Sequence, residues 1–172
     1  MPDTLFLFDH PQSVAAWGAI DDRVMGGVSR SALRFDPAGH AVFGGVVSPD
    51  NNGGFASVRA LVSGMSDVPD GVVDALQITV RGDGRRYKLN LRIDGGFDGV
   101  NYQVAFDTDP GAWQRLRLAI EAFRATFRGR PVADAPVLRG ARVRQVELMI
   151  ADRQFGPFEL AIREICALTT GE

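Results

Sequence analysis

The residues of this chain best suited to chemistry are paired carboxylates. The pairs are Asp21 with Asp22, Asp94 with Asp98, and Asp107 with Asp109. General acid–base catalysis needs two carboxylates that face each other across a substrate, and closeness in sequence does not establish that arrangement. Every pair lies in a turn-like segment, where aspartate commonly accepts hydrogen bonds from nearby backbone. We therefore favour a turn role for all three pairs and predict no catalytic residue.

Metal and cofactor motifs give little support for an enzyme. Cys166 is the only cysteine, which excludes a cysteine-based zinc site and an intramolecular disulfide bond. A structural calcium ion in the loop from Asp94 to Asp98 is an alternative left open, because carboxylates and loop carbonyls suit that ion, although the spacing matches no EF-hand. The segment Gly82–Tyr87 begins like a dinucleotide-binding fingerprint, but it lacks the last glycine and leads into a strand. We predict no cofactor and no enzymatic activity.

Charge and hydropathy limit the classes of partner and the cellular location that we expect for this chain. The chain has 21 acidic and 19 basic residues in 172, with a net charge of -2. This balance argues against a dedicated nucleic-acid binder, which usually carries a basic excess. The apolar run near the N-terminus, Leu5–Phe8, is too short for a signal peptide or a membrane span. We expect one domain over residues 1–172, in the cytoplasm and without a membrane span.

The elements that must position any site are predicted to be short strands. Apolar side chains alternate with polar ones in six runs, which is the period of a half-buried strand. The inward sets are Leu76, Ile78 and Val80; Tyr87, Leu89, Leu91 and Ile93; Tyr102, Val104 and Phe106; Leu116, Leu118 and Ile120; Val146, Leu148 and Ile150; and Phe158, Leu160 and Ile162. The pattern predicts an all-β antiparallel sandwich or barrel.

Turn and helix signals complete this prediction. Gly82–Gly84 is predicted to join two strands as a tight hairpin, and the loops at Asp94–Gly96 and Asp107–Gly111 are expected to do the same over longer spans. A short helix is predicted at Pro11–Trp17, with Asp9 as its cap. The segment Glu121–Phe127 is expected to form one helical turn or an irregular edge.

The outward positions of the predicted strands carry amide and guanidinium groups that could share one sheet face. Such a face can recognise polyols, carboxylates or the acidic surface of a partner, and the alternative is an ordinary solvated face. The candidate binding residues of this predicted polar face are Ser57, Arg59, Gln77, Arg81, Lys88, Asn90, Arg92, Gln103, Arg115 and Arg117.

Two glycine-rich segments form a second candidate site. One runs from Trp17 to Ser29, and the other from Asn51 to Arg59. Paired glycines before a strand allow close backbone approach. From physics alone we favour edge turns pinned by side-chain hydrogen bonds over a binding role. The candidate binding residues of these two loops are Asp21, Asp22, Arg23, Met25, Gly26, Gly27, Ser29, Asn52, Gly53, Gly54 and Phe55.

The order and spacing of these segments resemble the complex I intermediate-associated protein 30 family. Trp17 and the run Asp21–Ser29 resemble its opening signature, and Gly53–Arg59 resembles its second. Further segments fit in order from about Phe8 to Ala167: Phe43–Ser48, Gly82–Tyr87, Trp113, Thr126–Arg130, Ile150–Gln154, Gly156–Leu160 and Ile165. The resemblance implies a galactose-binding-like jelly-roll β-sandwich of antiparallel strands, with one or two short helices.

The resemblance also implies a function. Mitochondrial members of the family are assembly chaperones for respiratory NADH dehydrogenase, and this chain resembles a stand-alone bacterial-type member. We therefore expect a non-enzymatic protein-binding module whose partner is a subunit or assembly intermediate of a membrane-associated complex. The alternative is a module for a carbohydrate or small polar ligand, with Trp17, Tyr102 or Trp113 available for stacking.

Overall fold

Two antiparallel sheets packed face to face form the molecule. The structure is a computed structural model, and it describes residues 3–22, 26–62, 72–96 and 99–169. Thirteen strands lie within these ranges. In chain order they are β1 (Asp3–Leu7), β2 (Gly18–Ala19), β3 (Arg30–Asp36), β4 (His40–Val47), β5 (Ala56–Leu61), β6 (Val73–Arg81), β7 (Arg86–Arg92), β8 (Asn101–Asp107), β9 (Trp113–Ala119), β10 (Arg124–Phe127), β11 (Arg130–Pro131), β12 (Gln145–Ile150) and β13 (Gly156–Thr169).

The strands divide between the sheets in an order far from that of the chain. Sheet A has the order β3-β4-β13-β6-β9, and β1 also pairs with β13. Sheet B has the order β11-β10-β8-β7-β12-β5-β2. The long strand β13 carries sheet A because β4 and β1 pair with successive parts of one side and β6 pairs with the other. The predicted all-β antiparallel sandwich is confirmed.

The core lies between the sheets and is built from the predicted inward sets. Leu76, Ile78 and Val80 of sheet A are at most 1% exposed, and Leu89 and Leu91 of sheet B are fully buried. Because side chains alternate across a strand, a slip of one residue in register would expose each of these sets to water. Burial of one such side chain contributes roughly 1.5–3 kcal/mol before the entropy cost is subtracted.

Two of the predicted hairpins are wrong. Gly82–Gly84 connects β6 of sheet A to β7 of sheet B, and Asp107–Gly111 connects β8 of sheet B back to β9 of sheet A. The two crossovers lie together at one end of the sandwich, where Gly82 bridges to Pro110. Both sides of β6 are occupied by the distant strands β13 and β9, so its successor in sequence has to join the other sheet.

Helical structure in the described ranges is limited to short 3-10 turns, which include Pro11–Val14, Asp50–Asn52, Ile120–Ala122 and Gly140–Arg142. The predicted helix near Pro11 is therefore shorter than expected. Its cap residue is His10 and makes no side-chain capping hydrogen bond, while Asp9 contacts the His10 ring instead. The segment predicted as a helical turn or an edge is both, because the Ile120–Ala122 turn is followed by β10.

Candidate functional site

The predicted polar face is divided between the two sheets, so the prediction of one shared face is wrong. The outer face of sheet B carries Ser57, Arg59, Lys88, Asn90, Arg92 and Gln103, whereas the outer face of sheet A carries Gln77, Arg81, Arg115 and Arg117. Alternation tells which side chains point outward, but it does not tell to which sheet a strand belongs. The two outer faces are therefore separate surfaces.

A row of hydrogen-bonded side chains crosses the outer face of sheet B. Arg59, Glu147, Asn90 and Gln103 are cross-strand neighbours on β5, β12, β7 and β8. Arg59 Nε and Nη2 lie 3.0 and 2.9 Å from Glu147 Oε2. Asn90 Nδ2 donates to Glu147 Oε1 at 2.6 Å, and Gln103 Nε2 donates to Asn90 Oδ1 at 2.9 Å. We call these four residues the polar row.

The two central members of the polar row, Asn90 and Glu147, are buried although they point away from the core, and Arg59 and Gln103 are partly buried. Asn90 is 0% and Glu147 is 2% exposed. Nearby, Arg92 donates to Asp94 Oδ1 at 3.3 Å, and Lys88 donates to Asp152 Oδ1 at 3.0 Å. Buried polar groups are costly unless they find partners, and here they find them in each other. The outer face of sheet B therefore offers few accessible groups to a ligand.

Glu147 and Gln145 also belong to this face, although they were not among its predicted residues. Gln145 Nε2 donates to the backbone oxygens of Asp94 and Gly96, at 2.9 Å each. The signal was present, because these two polar residues alternate with Val146 and Leu148 in an inward run. The prediction used only the inward members of that run.

The outer face of sheet A is organised around Trp113. The guanidinium carbon of Arg163 lies 3.9 Å from the Trp113 ring centre, and that of Arg81 lies 4.9 Å away. The ring of His40 meets Trp113 edge-on at 5.3 Å. Burial lowers the pKa of His40, and Arg81 and Arg163 lower it further against the opposing effect of Asp36. These effects favour the neutral form of His40.

The two glycine-rich loops are joined by the carboxylate of Asp22, which is 0% exposed. Asp22 Oδ1 accepts from Ser29 N at 2.9 Å, and Oδ2 accepts from Ser29 Oγ at 2.5 Å and from Gly54 N at 2.7 Å. Burial acts to raise the pKa of Asp22, but these hydrogen bonds favour the charged form more strongly and the pKa is lowered. Asp22 is a fixed link between the loops.

Asp21 makes a second link, to Ser31 of β3 and Ser57 of β5. Its Oδ1 accepts from Ser31 Oγ at 2.6 Å and from Ser57 N at 3.0 Å, and its Oδ2 accepts from Ser31 N at 3.1 Å. Burial raises the pKa of Asp21 despite these bonds. Both aspartates thus hold backbone far along the chain rather than their own turn. The enzymatic alternative for this pair loses its basis, because both carboxylates are occupied by these backbone and serine donors.

Two signature glycines are required by contact with Asp22. A Cβ on Gly27 would lie 2.4 Å from Asp22 Cγ, and one on Gly53 would lie 2.5 Å from Asp22 Oδ2. Real Cβ atoms do not approach other heavy atoms so closely, so any side chain would push the carboxylate away from its donors. These glycines therefore serve the link between the loops.

The remaining predicted loop residues have varied positions. Gly26 adopts a φ of +86°. Ser29 is fully buried and is hydrogen-bonded to Asp22. Phe55 is half-buried, with its backbone N–H 3.4 Å from Asp22 Oδ2. Asn52 lies at the end of the Asp50–Asn52 turn. Arg23 and Met25 lie outside the described residues.

An exposed apolar edge beside the loops was not predicted. Val28 and Val46 are 46% and 38% exposed, and Phe155 is 40% exposed. Pro157 is also exposed and is the direct cross-strand neighbour of Val46. The ring of Phe155 lies beside Gly54, because a Cβ at that position would be 4.0 Å from Phe155 Cε1. We call Val28, Val46, Phe155 and Pro157 the apolar edge.

A cavity of about 650 Å³ lies where the edges of the two sheets meet. It is lined from sheet A by the end of β9 and from sheet B by β10, and the segment 135–139 forms another wall. Phe123, Ala125 and Leu138 contribute apolar surface to it, and its charged lining residues are Asp74, Arg117, Glu121, Arg124 and Arg139. No pattern in the sequence pointed to this cavity, because it forms between strands distant in the topology.

Metal binding finds no further support in the described ranges. They contain no group of three or more His, Cys, Asp or Glu side chains that could hold an ion. Asp94 Oδ1 accepts from Gly96 N at 2.9 Å, as a turn aspartate does, and Asp98 lies outside the described residues. Among the helices of the same ranges, none has the length and apolar character needed to span a membrane.

Solved structures with the same architecture include carbohydrate-binding modules. The family 11 carbohydrate-binding module of a cellulosomal cellulase from Clostridium thermocellum superposes with a TM-score of 0.67 at 14% identity, covering 99% of this chain and 97% of that one. A family 11 module from the same organism in complex with a β-1,3-1,4-mixed-linked tetrasaccharide gives 0.65 at 15% identity, with 96% of each chain covered. At this identity the likeness shows the fold alone, which is the expected jelly-roll sandwich.

Sequence comparison adds a family. Complex I intermediate-associated protein 30, mitochondrial, of Drosophila melanogaster is 27% identical over 179 residues, which cover 93% of this chain and 60% of the fly protein. The chain therefore spans about 60% of the length of that relative. The pattern of the family described as Complex I intermediate-associated protein 30 (CIA30) matches residues 6–162. Since this match includes both glycine-rich loops and nearly all strands of both sheets, the chain belongs to the complex I intermediate-associated protein 30 family.

Proposed function

We propose that this chain is a non-enzymatic protein-binding module that assists the assembly of a respiratory NADH dehydrogenase or of another membrane-associated complex. Membership of a family described by its association with complex I intermediates supports the class of partner. The fly relative carries the same description, together with a mitochondrial location. A cytoplasmic location for this chain stays a prediction.

The observation that carries the proposal is the apolar edge held beside the two signature loops. Asp22 fixes the loops to each other through Ser29 and Gly54, which holds the part of the edge beside these two residues in place. Val28, Val46 and Phe155 remain substantially exposed there. A preformed apolar patch with a polar surround is typical of a protein-interaction site. The loop residues Gly26, Gly27, Gly53 and Phe55 shape this surface.

The outer face of sheet B contributes less to docking than its polar composition predicted. Arg59, Asn90 and Glu147 are engaged with each other and have little contact with water. A partner would have to separate these bonds before forming its own, and each separation costs free energy. Docking is therefore assigned to the apolar edge and to the exposed arginines of sheet A.

Affinity purification with a tagged chain from native cell extract tests this function. We expect respiratory NADH dehydrogenase subunits or their assembly intermediates to be recovered by the wild type. The double variant Val46→Glu, Phe155→Glu should lose most of this recovery, because it places charge on the apolar edge. Leu61→Glu is the matched control, since Leu61 is 68% exposed but lies at the opposite end of β5 from Gly53 and Gly54. Recovery of no respiratory subunit, or equal recovery by all three proteins, would contradict the proposal.

The alternative, carbohydrate binding, has support from the fold and less from the geometry. Sugar recognition needs exposed aromatic rings beside accessible polar groups. Trp17 is 9% exposed and packs on Phe6, and Tyr102 is 3% exposed with its hydroxyl bonded to the Pro136 backbone oxygen. Trp113 is covered by Arg81 and Arg163 on sheet A, the opposite face from the polar row.

Calorimetric titration with a mixed-linked glucan tetrasaccharide distinguishes the two functions. We expect no heat of binding, because the polar row is closed and the three aromatic rings are buried or covered. Saturable binding that is lost in Asn90→Ala would favour the carbohydrate module instead.

A further inference from the structure

Two arginines on the outer face of sheet A contact the same aromatic ring. The guanidinium carbon of Arg163 lies 3.9 Å from the centre of the Trp113 ring, and that of Arg81 lies 4.9 Å from it. Arg81 and Trp113 are direct cross-strand neighbours on β6 and β9, and Arg163 belongs to β13, which pairs with the other side of β6. Three neighbouring strands therefore bring two cations to one ring.

Contact with an aromatic ring leaves the hydrogen-bonding groups of a guanidinium available. The ring attracts the charge of the planar group, whereas its five N–H donors point outward within its own plane. Among the residues that the structure describes, neither Arg81 nor Arg163 has a carboxylate partner, and neither side chain donates a hydrogen bond. Because Trp113 already restrains both side chains, less conformational entropy is lost when a ligand binds to them.

Other arginines of the same face do not combine these properties. Arg34 lies 3.6 Å from Glu159, and Arg117 lies 3.4 Å from Asp74. Arg115 is exposed, and in the described part of the chain it has neither a carboxylate partner nor a contact with an aromatic ring. The pair at Trp113 is therefore distinguished by two guanidinium groups that are both restrained and unpaired.

The strands beneath this pair present small apolar residues that are covered from water. Ala161 is the cross-strand neighbour of Arg81 on one side and of Val42 on the other, so all three point outward in one row. Val42 and Ala161 are nevertheless only 1% and 3% exposed. Other side chains of the outer face must lie over them. Attraction between a guanidinium and an anion is screened less beside such buried apolar surface than in open water.

His40 lies beside the same ring, with 5.3 Å between the ring centres, and responds to the charge there. Burial is the largest cause of its lowered pKa, and the cations Arg81, Arg163 and Arg34 lower that pKa further. Asp36 opposes them, with Oδ2 3.9 Å from His40 Nε2. An anion bound to the two arginines would act in the same direction as Asp36 and raise the pKa of His40.

We propose that Arg81 and Arg163 together bind the dianionic phosphate group of a phosphate monoester. A carboxylate has two oxygens and one negative charge, which a single guanidinium satisfies. A phosphate monoester has three acceptor oxygens and a charge near -2, which suit two separate guanidinium groups. The site is distinct from the apolar edge, which lies towards the other end of β4, at Val46. Binding of phosphate and recovery of respiratory subunits are therefore separable results.

Proton NMR of the two histidines tests this site with an internal control. Inorganic sulfate is the first probe, because it stays a dianion throughout the pH range in which histidine titrates. The Hε1 signals of His40 and His10 are followed through pH titrations of the full chain in sodium sulfate and in sodium chloride of equal ionic strength. His10 is exposed and contacts Asp9, so its signal reports on general salt effects.

We expect the titration midpoint of His40 to lie at higher pH in sulfate than in chloride, because a dianion beside the two arginines offsets their charge. The titration of His10 should be the same in both salts. At constant pH and ionic strength, sulfate should also shift the indole N–H signal of Trp113 in a saturable way, and sodium acetate should not. Trp17 is only 9% exposed, and its indole signal is the control.

Variants locate the response. Arg81→Gln, Arg163→Gln should weaken sulfate binding by about tenfold or more, because both charge-assisted donors are lost. Arg163→Lys, which keeps the charge but not the planar fork, should weaken it less, and Arg115→Gln should respond like the wild type. Thermal melting checks that each variant is folded. Equal responses to sulfate and chloride, an unchanged response in the double variant, or an equal loss in Arg115→Gln would overturn the proposal.

Two further probes distinguish the sources of the phosphate group. Glycerol 3-phosphate represents a soluble ester, and vesicles of phosphatidylcholine with phosphatidic acid present the same group on a lipid surface. The indole signal of Trp113 measures binding of the soluble ester, and co-sedimentation measures binding to the vesicles. Binding to either probe that is lost in Arg81→Gln, Arg163→Gln supports the site and identifies the source. Binding to neither would overturn the proposal.

Discussion

The outer faces of the two sheets are similar in composition but differ in the exposure of their charged side chains. On sheet B, Arg59 and Glu147 form a buried ion pair, 9% and 2% exposed at the side chains. On sheet A, Arg34 and Glu159 form the same kind of pair at 3.6 Å, 57% and 64% exposed. Outward polar residues of a sandwich are therefore not equivalent. One face uses its hydrogen bonds to hold the fold, and the other keeps its charges exposed to solvent.

The largest expected change in the free energy of unfolding comes from a pair of matched variants, one on each outer face. Glu147→Ala removes the carboxylate that joins Arg59 to Asn90, away from water, and should lower the free energy of unfolding by roughly 3 kcal/mol. Glu159→Ala, the matched variant on sheet A, should change it by about 0.5 kcal/mol or less. Urea denaturation of both variants measures the difference. Equal losses would mean that the two faces do not differ energetically.

A similar loss of stability is expected in the two glycine-rich loops, where the buried carboxylate of Asp22 is also fully hydrogen-bonded. Asp22→Asn puts an amide group where both carboxylate oxygens accept bonds, and should cost about 3 kcal/mol at neutral pH. The pKa of Asp22 is lowered in the folded state, so its stabilisation is present above the unfolded value of about 4 and is lost as the pH falls through the folded pKa. The difference between wild type and variant should therefore shrink in acid.

Asp21 provides the contrast for that measurement. Its pKa is raised in the folded state, so ionisation costs stability as the pH rises from about 4 through the folded pKa. The wild type should lose stability relative to Asp21→Asn over that interval. Parallel pH profiles for the two variants, measured by denaturation, would show that the carboxylates do not have opposite roles.

A smaller effect is expected at the centre of the sheet A face. Trp113→Ala removes the ring that both Arg81 and Arg163 contact and should cost about 1–2 kcal/mol through lost packing and cation–π attraction. Phe127→Ala is a suitable control, because Phe127 is exposed and the guanidinium carbon of Arg128 lies 5.3 Å from its ring centre. Its cost should be about 0.5 kcal/mol. Thermal unfolding compares them, and a smaller loss for Trp113→Ala would contradict the central role of that ring.

The smallest effect is expected for the exposed arginines of β9. Arg115→Gln, Arg117→Gln should change the free energy of unfolding by less than about 0.5 kcal/mol, because both side chains are exposed and Arg117 has one screened partner in Asp74. Denaturation at low and high salt gives the measurement. A loss comparable to that of Glu147→Ala would mean that the sheet A face contributes as much to stability as the polar row does.

Much of the fold was predictable because alternation is local. Leu76, Ile78 and Val80 pointed to a buried strand face, and the structure confirms it. The turn at Gly82–Gly84 was recognised as a turn, but its strands lie in different sheets. A glycine turn favours a change of direction, and whether the next strand pairs with the last depends on competing partners elsewhere in the chain.

The candidate site was predictable in its residues and not in their roles. The loop glycines and Asp22 were recognised together, but the contact between Gly53 and Asp22 joins positions 31 residues apart. Glu147 was overlooked because it completes the polar row only when β12 lies between β5 and β7. The cavity at the end of β9 is lined by four separate stretches of chain, within residues 73–74, 102, 117–125 and 132–139, and had no sequence signal.

The amino-acid sequence alone determined which side chains point inward and which point outward, since the two-residue period of a strand follows from covalent geometry. It also supplied the family, through the order of its glycine-rich loops. The tertiary structure decided which outward side chains share a sheet, which become buried, and which edge stays open. These outcomes depend on pairings between distant strands, and such pairings are selected by the packing of the whole chain rather than by any local pattern.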